Sequence, residues 1–494
     1  MGKYTIDRRQ FINIGLKATG LLAATKLFPL TSYIEAAGRE VINSFHSDPS
    51  ELIHLLQLAT RNGGDFADVF LEQKASRNIQ CKNGVIVDTE HNLTEGINLR
   101  VFNDRQTAFK SCEGFSRSKA RRAARLLGGS IRGSKKHIQF DRFPRQPSID
   151  SGVIIAKKRL EKTSSDTIAN VLSTLNSKGG KVSNLLTDVF IDYHDEIRRI
   201  LVANTSGIYV TDTQPLIDIT ITCTAQKGSK KQVFSKRLSH RSGFDFLLNP
   251  SLESLLYETA STAVELLTSQ SLPESRLPVA LSAEAATRLT ELLTRMIVDR
   301  GDENQAHLEL PSFISLTDDG RLINGRGSSH FDDEGSATTE TKLIAKGRSV
   351  AILNQRLHAD TNPLILTGNA RRFDYTRPPA VCPTNSILDI EIQSKGNPEE
   401  DLDDGLLITG LAPVTISQNI AAMKILSGYR VYNRQKRYSV QDSVISGLFP
   451  ELLGRIISSG NSFYFSAGEC SKTGAPVSYG APSLLFSWMD ILKT

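Results

Sequence analysis

The sequence predicts an α+β protein: an N-terminal α/β part with mixed sheets and helices, followed by a mainly β C-terminal part. Two segments before residue 300, Asp48–Asn62 and Leu252–Leu267, repeat apolar residues with the spacing of an amphipathic helix. The run Ile217–Thr224 alternates apolar and polar residues, as a half-buried strand does. Beyond residue 300 the chain consists mostly of short strand patterns separated by Gly, Pro and Asn.

Composition limits the function classes. The 494 residues, 39% of them hydrophobic, are enough for two or three packed domains. A formal net charge of +6 is mild and gives no reason to expect a nucleic-acid partner. The five cysteines show no C-x-x-C spacing, so we expect neither a zinc ribbon nor a disulfide framework, but mostly buried free thiols. They are Cys81, Cys112, Cys223, Cys382 and Cys470.

The N-terminus carries an export pattern. Asp7–Ile12 (DRRQFI) resembles the twin-arginine motif, and a modestly apolar stretch, Ile12–Leu30, follows it with Lys17 and Lys26 inside. The stretch is too short and too interrupted for a stable transmembrane helix. We favour a twin-arginine signal over residues 1–37 and an exported, periplasmic protein. The alternative is an amphipathic N-terminal helix of a cytoplasmic protein.

The next segment, residues 45–137, begins with the helix Asp48–Asn62. Strand patterns flank Lys82–Val85, whose Asn-Gly pair favours a hairpin turn. A second strand pair is expected at Gly96–Phe102 and Gln106–Ser111. Residues 117–136 contain eight basic side chains and no acidic one. Because no aromatic residue is interleaved for base stacking, we interpret this run as the solvated face of a helix rather than as a nucleic-acid site.

The third segment, residues 150–270, follows a linker at 138–165. The patterns predict a helix near Ser165–Asn176, strands at Lys181–Ile191 and Glu196–Ala203, and a return strand at Ile208–Thr211. The alternating run Ile217–Thr224 and the helix Leu252–Leu267 complete this segment.

The last segment, residues 277–494, opens with the strand Leu277–Leu281 and a core helix that ends at Arg300. Ser282 is the expected N-cap of this helix, which contains no histidine and no cysteine. The remaining patterns are short strands, with one helix expected at Glu451–Ser458. The expected strands are Thr341–Ala345, Val350–Asn354, Ile387–Ile392, Leu406–Thr409, Tyr429–Tyr432, Phe463–Phe465 and Ser483–Phe486.

Local motifs give little sign of an enzyme. The nearest two of the nine histidines are eight residues apart, so the sequence has no HExxH pair. It also has no G-x-S-x-G elbow, no P-loop and no G-x-G-x-x-G.

Several longer segments resemble landmarks of one family, TldD/PmbA, also known as TldD/TldE or "modulator of DNA gyrase". The resemblance covers roughly residues 50–490, and it implies a C-terminal domain of the TldD/PmbA type after two N-terminal ones. The segments are EGINLRVFNDRQTAF (95–109), LVANTSGIYVTDTQPLIDITI (201–221), FDDEGSAT (331–338), LTGNARR (366–372) and VISGLFPELLGRIISSGN (444–461).

The metal motif of the family has no counterpart here. Metal-bearing TldD-type subunits carry HExxxH on the helix that follows the first strand of the C-terminal domain. In this sequence Glu291, Leu292 and Met296 stand at those positions. Cys470, in GECSKTG, resembles the late cysteine ligand of the family and is the weak metal candidate. We therefore expect no cofactor in this chain and no catalytic residue, with zinc supplied through a partner subunit.

The resemblance implies a PmbA/TldE-like, metal-lacking subunit that pairs with a TldD-type metalloprotease subunit and helps process unfolded peptides; a homodimer is the alternative assembly. It also implies candidates for peptide contact in the substrate channel. These are Asp332, Asp333, Glu334, Asn369 and Arg371.

Two other functions stay open. One is an active zinc metallopeptidase with a rebuilt site that uses Cys470 and a distant histidine, His307 or His330. The other is a stand-alone periplasmic peptide-binding protein. Two positions depart from the family pattern on which the PmbA-like interpretation rests: the landmark at 403–423 is degenerate, and Cys382 stands where TldD-type sequences tend to have Arg.

Overall fold

The computed structural model describes residues 48–103, 106–133, 143, 159–300, 309–359, 366–392, 397–417 and 420–493. The predicted signal at 1–37, most of the predicted linker and His307 lie outside the described residues. Within those residues, no helix combines the length and the apolar character that crossing a membrane requires.

The N-terminal half forms one six-stranded antiparallel sheet in the order β3-β2-β1-β4-β5-β6. The predicted segments 45–137 and 150–270 each contribute three strands to it. The hairpin at Asn83-Gly84 is confirmed, and both residues have the positive φ that such a turn requires. The strands are β1 (Phe66–Lys82), β2 (Val85–Phe102), β3 (Thr107–Glu113), β4 (Leu186–Asn204), β5 (Tyr209–Lys227) and β6 (Lys230–His240).

Most of the predicted strand residues in this half lie in strands, but the predicted breaks inside β4 and β5 are wrong. Lys181–Ile191 and Glu196–Ala203 belong to the single strand β4, because residues 192–195 stay paired with both neighbours and alternate between buried and half-buried positions. Ile208–Thr211 and Ile217–Thr224 likewise lie in or next to one strand, β5. Strand β6 was not predicted at all.

Four helices cover one face of this sheet: α1 (Pro49–Ala59), α2 (Arg117–Leu127), α3 (Ser165–Gly179) and α4 (Pro250–Glu265). Helix α2 buries Ala120 and Ala124 and exposes Arg117, Lys119 and Arg122. The basic side chains from Arg117 to Arg125 therefore lie on the solvated side of a helix, as predicted, and Arg132 is exposed in the segment that follows it.

The opposite face of the sheet carries charge. Because side chains alternate along a strand, Ala67, Val69 and Leu71 of β1 face the helices while Asp68 and Glu72 point to the other side. Asp68 and Glu72 are nevertheless buried, because the C-terminal half covers this second face. This second face of the sheet is therefore a buried polar face between the two halves of the molecule.

The C-terminal half is built on a 12-stranded mixed sheet with the main path β10-β9-β8-β13-β20-β18-β16-β14-β7. Strand β7 (Ser275–Leu281) leads into helix α5 (Ala283–Arg300), which packs on strands β13, β14, β19 and β20 of this sheet. The other elements are β8 (Ile314–Asp319), β9 (Glu340–Ala345), β10 (Arg348–Ser349), α6 (Arg356–Ala359), β11 (Ala370–Arg371), β12 (Ala380–Val381), β13 (Asn385–Ile390), α7 (Pro398–Asp401), β14 (Asp404–Leu411), β15 (Thr415–Ser417), β16 (Ile420–Tyr432), β17 (Gln435–Val440), β18 (Ser443–Leu448), β19 (Ile456–Glu469) and β20 (Pro476–Lys493).

Two predictions in this half are wrong. Val350–Asn354 is not a strand, and Glu451–Ser458 is not an α-helix: a short 3-10 helix, Glu451–Arg455, is followed directly by β19. Residue Ile456 pairs with Phe486 of β20, so the apolar residues of this segment enter a sheet instead of extending a helix.

Candidate functional site

Helix α5 presents the three positions where the resemblance places a metal motif. The N-cap prediction is confirmed, because Ser282 Oγ accepts a hydrogen bond from Ala285 N at 3.2 Å. Glu291 forms an ion pair with Arg288 at 2.7 Å, one turn back on the same helix. Leu292 is 4% exposed and belongs to the main core, against which the half-buried Met296 also packs. These side chains offer one paired carboxylate and two apolar groups.

The cysteine that resembles a metal ligand is bonded to another cysteine. Cys470 and Cys382 form a disulfide, with a Cα–Cα distance of 5.8 Å and a sequence separation of 88 residues. Most of the five cysteines are free thiols, as expected, but the pairing of these two was not predicted. Cys470 has no thiolate to offer a metal while the bond is intact. Cys81, Cys112 and Cys223 are free thiols. Spacing could not reveal this pairing, because cysteine connectivity cannot be deduced from the sequence alone.

The residues at the motif positions do not fit a zinc ion. A catalytic zinc site needs three protein ligands, from His, Cys, Asp or Glu, arranged around one point. Across the described ranges, no group of three such side chains could hold a metal ion. His330, proposed for a rebuilt site, directs Nδ1 to Asp212 Oδ1 at 2.8 Å. No chemical step is therefore assigned to a metal in this chain.

The three acidic residues of the DDEG segment lie together, but in the interior. Asp332, Asp333 and Glu334 are at most 2% exposed. Asp332 accepts hydrogen bonds from three backbone N–H groups, those of Glu334 (2.9 Å), Ser336 (2.8 Å) and Ala370 (3.1 Å). Burial and the neighbouring Glu334 raise the pKa of Asp332 to about 7. This carboxyl group shapes a turn.

Asp333 holds the DDEG turn against strand β4. Its two oxygens accept hydrogen bonds from Arg198 Nη1 at 2.8 Å and Arg198 Nη2 at 3.0 Å, a bidentate geometry. A third hydrogen bond comes from Arg372 N at 2.7 Å. Burial alone would raise the pKa of Asp333, but the Arg198 guanidinium outweighs it and holds that pKa below its usual value.

Glu334 extends the same arrangement to strand β2. Arg100 Nη2 donates to Glu334 Oε1 at 2.6 Å and also to Asp68, its cross-strand neighbour on β1. Arg372 Nη2 reaches the other oxygen of Asp68 at 3.2 Å. We call these side chains the buried ion network. It consists of Asp68, Glu72, Arg100, Arg198, Asp333, Glu334 and Arg372, each at most 8% exposed as a side chain or residue.

The last two predicted site residues are also internal. Asn369 Nδ2 donates to Asp318 Oδ2 and to Cys382 O, both at 2.9 Å. Arg371 Nη1 donates to Gly327 O at 3.0 Å, and burial lowers the pKa of its guanidinium. Both side chains are 2% exposed.

The structure brings Asp332, Asp333 and Glu334 together, with Asn369 and Arg371 on the adjoining segment, and their polar atoms bind other parts of the same chain. Asp333 and Glu334 reach across to strands β4 and β2 of the N-terminal half. Peptide contact by these five residues stays a prediction.

Sequence reasoning missed the partners of these carboxylates. Asp68, Glu72 and Arg100 alternate with apolar residues on β1 and β2, the pattern of a strand with one face in water. A signal was present, because Asp68 and Arg100 carry opposite charges and face each other directly across the hairpin. Counting back from the turn at Asn83-Gly84 predicts this pairing to within two residues.

The chain is similar to known proteins along most of its length. Models of the PmbA/TldA metallopeptidases match three segments: domain 1 at residues 67–127, the central domain at 157–271 and the C-terminal domain at 274–493. The chain is 24% identical over 459 residues to a metalloprotease TldD homolog of Buchnera aphidicola, covering 85% of this chain and 91% of that protein. It is 23% identical over 438 residues to a metalloprotease of Synechocystis sp., covering 85% and 93% of the two chains.

Solved structures share the fold. A proposed modulator of a DNA gyrase from Thermotoga maritima matches with a TM-score of 0.71 at 20% identity, over 89% of this chain and 99% of that chain. TldE from Thermococcus kodakarensis matches with a TM-score of 0.69 at 14% identity, over 90% and 100% of the two chains. The α+β class and the β-rich C-terminal part are thus confirmed.

Proposed function

The chain belongs to the PmbA/TldD family of metallopeptidases, and we propose that it serves as the metal-lacking, PmbA-like subunit of a heterodimeric protease that processes unfolded peptides. The catalytic zinc of the pair would reside in a TldD-type partner. This chain would act as a scaffold and as one wall of the chamber in which the peptide is cut.

The observation that carries this proposal is the chemistry of helix α5 and the loop beside it. Glu291 is neutralised by Arg288, Leu292 is a core residue, and Cys470 is bonded to Cys382. The fold of a metallopeptidase is retained, while the histidine ligands and the glutamate of the HExxxH motif are replaced at these positions by an ion-paired carboxylate and apolar side chains, which supports the proposal.

The buried ion network supports a scaffold role. It joins strands β1, β2 and β4 of the N-terminal sheet to the 331–338 and 366–372 segments of the C-terminal half through charged hydrogen bonds in the interior. Removing one member of such a pair is costly, so the two halves are held in one relative orientation. A fixed orientation suits a protein that presents a rigid surface to a partner.

We also propose that the chain is exported by the twin-arginine route. The motif around Arg8 and Arg9 supports this location, and so does the Cys382–Cys470 disulfide, because such bonds persist in oxidising compartments and are rare in the cytosol.

Reconstitution tests the proposed function. The purified chain is mixed with a separately purified HExxxH homologue from the same host, and cleavage of an unstructured peptide is followed by mass spectrometry. We expect cleavage by the pair and none by this chain alone. Mutation of the partner's HExxxH glutamate should abolish cleavage, whereas Glu291→Gln in this chain should leave it unchanged. Cleavage by this chain alone, or loss of cleavage with Glu291→Gln, would overturn the proposal.

A further inference from the structure

The disulfide joins two segments that lie far apart in sequence and close to helix α5. Cys382 follows β12, and its N–H donates to Asn369 O at 2.9 Å, which ties it to the 366–372 segment. Cys470 follows β19 and opens a tight loop to β20, closed by hydrogen bonds from Gly474 N to Cys470 O (2.7 Å) and from Cys470 N to Ala475 O (2.9 Å). We call residues 470–475 the Cys470 loop.

The Cys470 loop lies against the end of helix α5. Lys472 Nζ donates to Val298 O at 3.0 Å, in the last turn of the helix. This contact is made by an exposed side chain, so it is weak by itself. The disulfide is the covalent link that fixes the base of the loop. Both of its cysteines are buried, at 0% and 4% exposure.

We propose that the Cys382–Cys470 disulfide is an oxidation-dependent staple that anchors the Cys470 loop, which contacts the end of helix α5, to the 366–372 segment. The chain would reach its final structure in this region only after oxidation. With the bond reduced, the loop would keep its short-range hydrogen bonds but lose its anchor to the 366–372 segment.

The oxidation balances with a disulfide-donating protein as the oxidant. The thiolate of one cysteine attacks the donor disulfide and forms a mixed disulfide, and one donor sulfur leaves as a thiolate. The second cysteine thiolate then attacks the chain's sulfur and displaces the donor. Two electrons pass to the donor, which becomes a dithiol, and the chain's two thiol protons are released to it or to solvent.

The other cysteines do not compete for this reaction. Cys81 and Cys223 are fully buried, and burial raises the pKa of both thiols, to about 12 for Cys223. Cys112 is half-buried, and burial also raises its pKa. Cys382 and Cys470 are buried as well, so burial alone does not single out the pair. Geometry does, because their Cα atoms lie 5.8 Å apart in a bonded pair, whereas the other three thiols are free.

Thiol counting tests whether the bond forms. The full chain is purified from the exporting host without reductant and unfolded in the presence of a maleimide mass tag. Its mass is then measured by mass spectrometry. Because three of the five cysteines are free, we expect three tags, and five after prior reduction. A non-reducing peptide map should link the peptides that contain Cys382 and Cys470. Five tags without reduction would overturn the proposal. This assay needs no partner subunit, so its result is separate from that of the reconstitution.

Hydrogen exchange tests whether the bond acts as a staple. Exchange of the amides in 470–475 is compared for the oxidised chain, the reduced chain and the variant Cys382→Ser, with Cys112→Ser as the control. We expect exchange in this loop to become at least 10-fold faster on reduction and in Cys382→Ser, and to stay unchanged in Cys112→Ser. Equal protection in the oxidised and reduced wild-type chain would contradict the staple, even if the bond forms.

Discussion

Replacing Asp333 by Asn is the most informative single perturbation of the buried ion network. The change keeps the size of the side chain but removes the charge that faces Arg198 through two hydrogen bonds of 2.8 and 3.0 Å. Asp333 and Arg198 are 1% and 8% exposed as side chains, so little water is available to replace the lost partner. Removing one member of a buried ion pair costs about 3 to 5 kcal/mol.

The pH dependence has a defined sign. The pKa of Asp333 is lower in the folded chain than in the unfolded chain, where it is near 3.9. Its contribution to stability is therefore fully present above the unfolded value and is lost as the pH falls through the folded value. The difference between the wild type and Asp333→Asn should be largest near pH 7 and should shrink below about pH 4.

Urea denaturation followed by circular dichroism, at pH 7 and at about pH 3.5, measures both effects. The matched control is Asp403→Asn, because Asp403 faces Arg434 at 3.9 Å with both side chains about 70% exposed. The control should be indistinguishable from the wild type, since exposed ion pairs contribute little. A loss for Asp333→Asn no larger than that of the control would refute the structural role of the network.

Three further predictions concern helix α5 and the DDEG turn. Leu292→Ala should lower the free energy of unfolding by about 2 to 5 kcal/mol, measured in urea, because it leaves a cavity in the core. A catalytic carboxylate at this position would be dispensable for stability. Glu291→Gln should change stability by less than about 1 kcal/mol in the same assay, because it removes only a helix-surface pair with Arg288; a larger loss would place Glu291 in the core. The pKa of Asp332 is raised to about 7 in the folded chain, so its contribution to stability is fully present below its unfolded pKa near 3.9 and is lost as the pH rises through 7. In thermal melts, Asp332→Asn should therefore flatten the fall in melting temperature between pH 5 and pH 8. An unchanged slope would contradict the burial of this group next to Glu334.

Local rules predicted the local features. The Ser282 cap and the apolar spacing located helix α5, and the Asn83-Gly84 pair located the first hairpin, because each depends on residues a few positions apart. The pattern underestimates the length of β4, because polar residues at 192–195 interrupt its apolar residues. They continue the strand because β1 and β5 pair with it on both sides.

The candidate site could be predicted only in part. The DDEG and LTGNARR segments were found, but their burial depends on remote partners: Arg198 is 135 positions from Asp333, and Arg100 is 234 from Glu334. Cys382 and Cys470 are 88 positions apart, and any pairing among five cysteines is compatible with the sequence. Such contacts follow from the register and packing of whole sheets, which a pattern in one segment does not contain.

The central claim is that this family member has no metal chemistry of its own and works through a partner. Purification from the native host through a C-terminal tag, with metal analysis of the eluate, tests it most directly. We predict that a TldD-type homologue is recovered at equal stoichiometry with one zinc per pair, and that the separated chain is metal-free and inactive. If the chain is instead recovered alone with stoichiometric zinc and cleaves an unstructured peptide, the interpretation of Glu291, Leu292, Met296 and Cys470 is wrong.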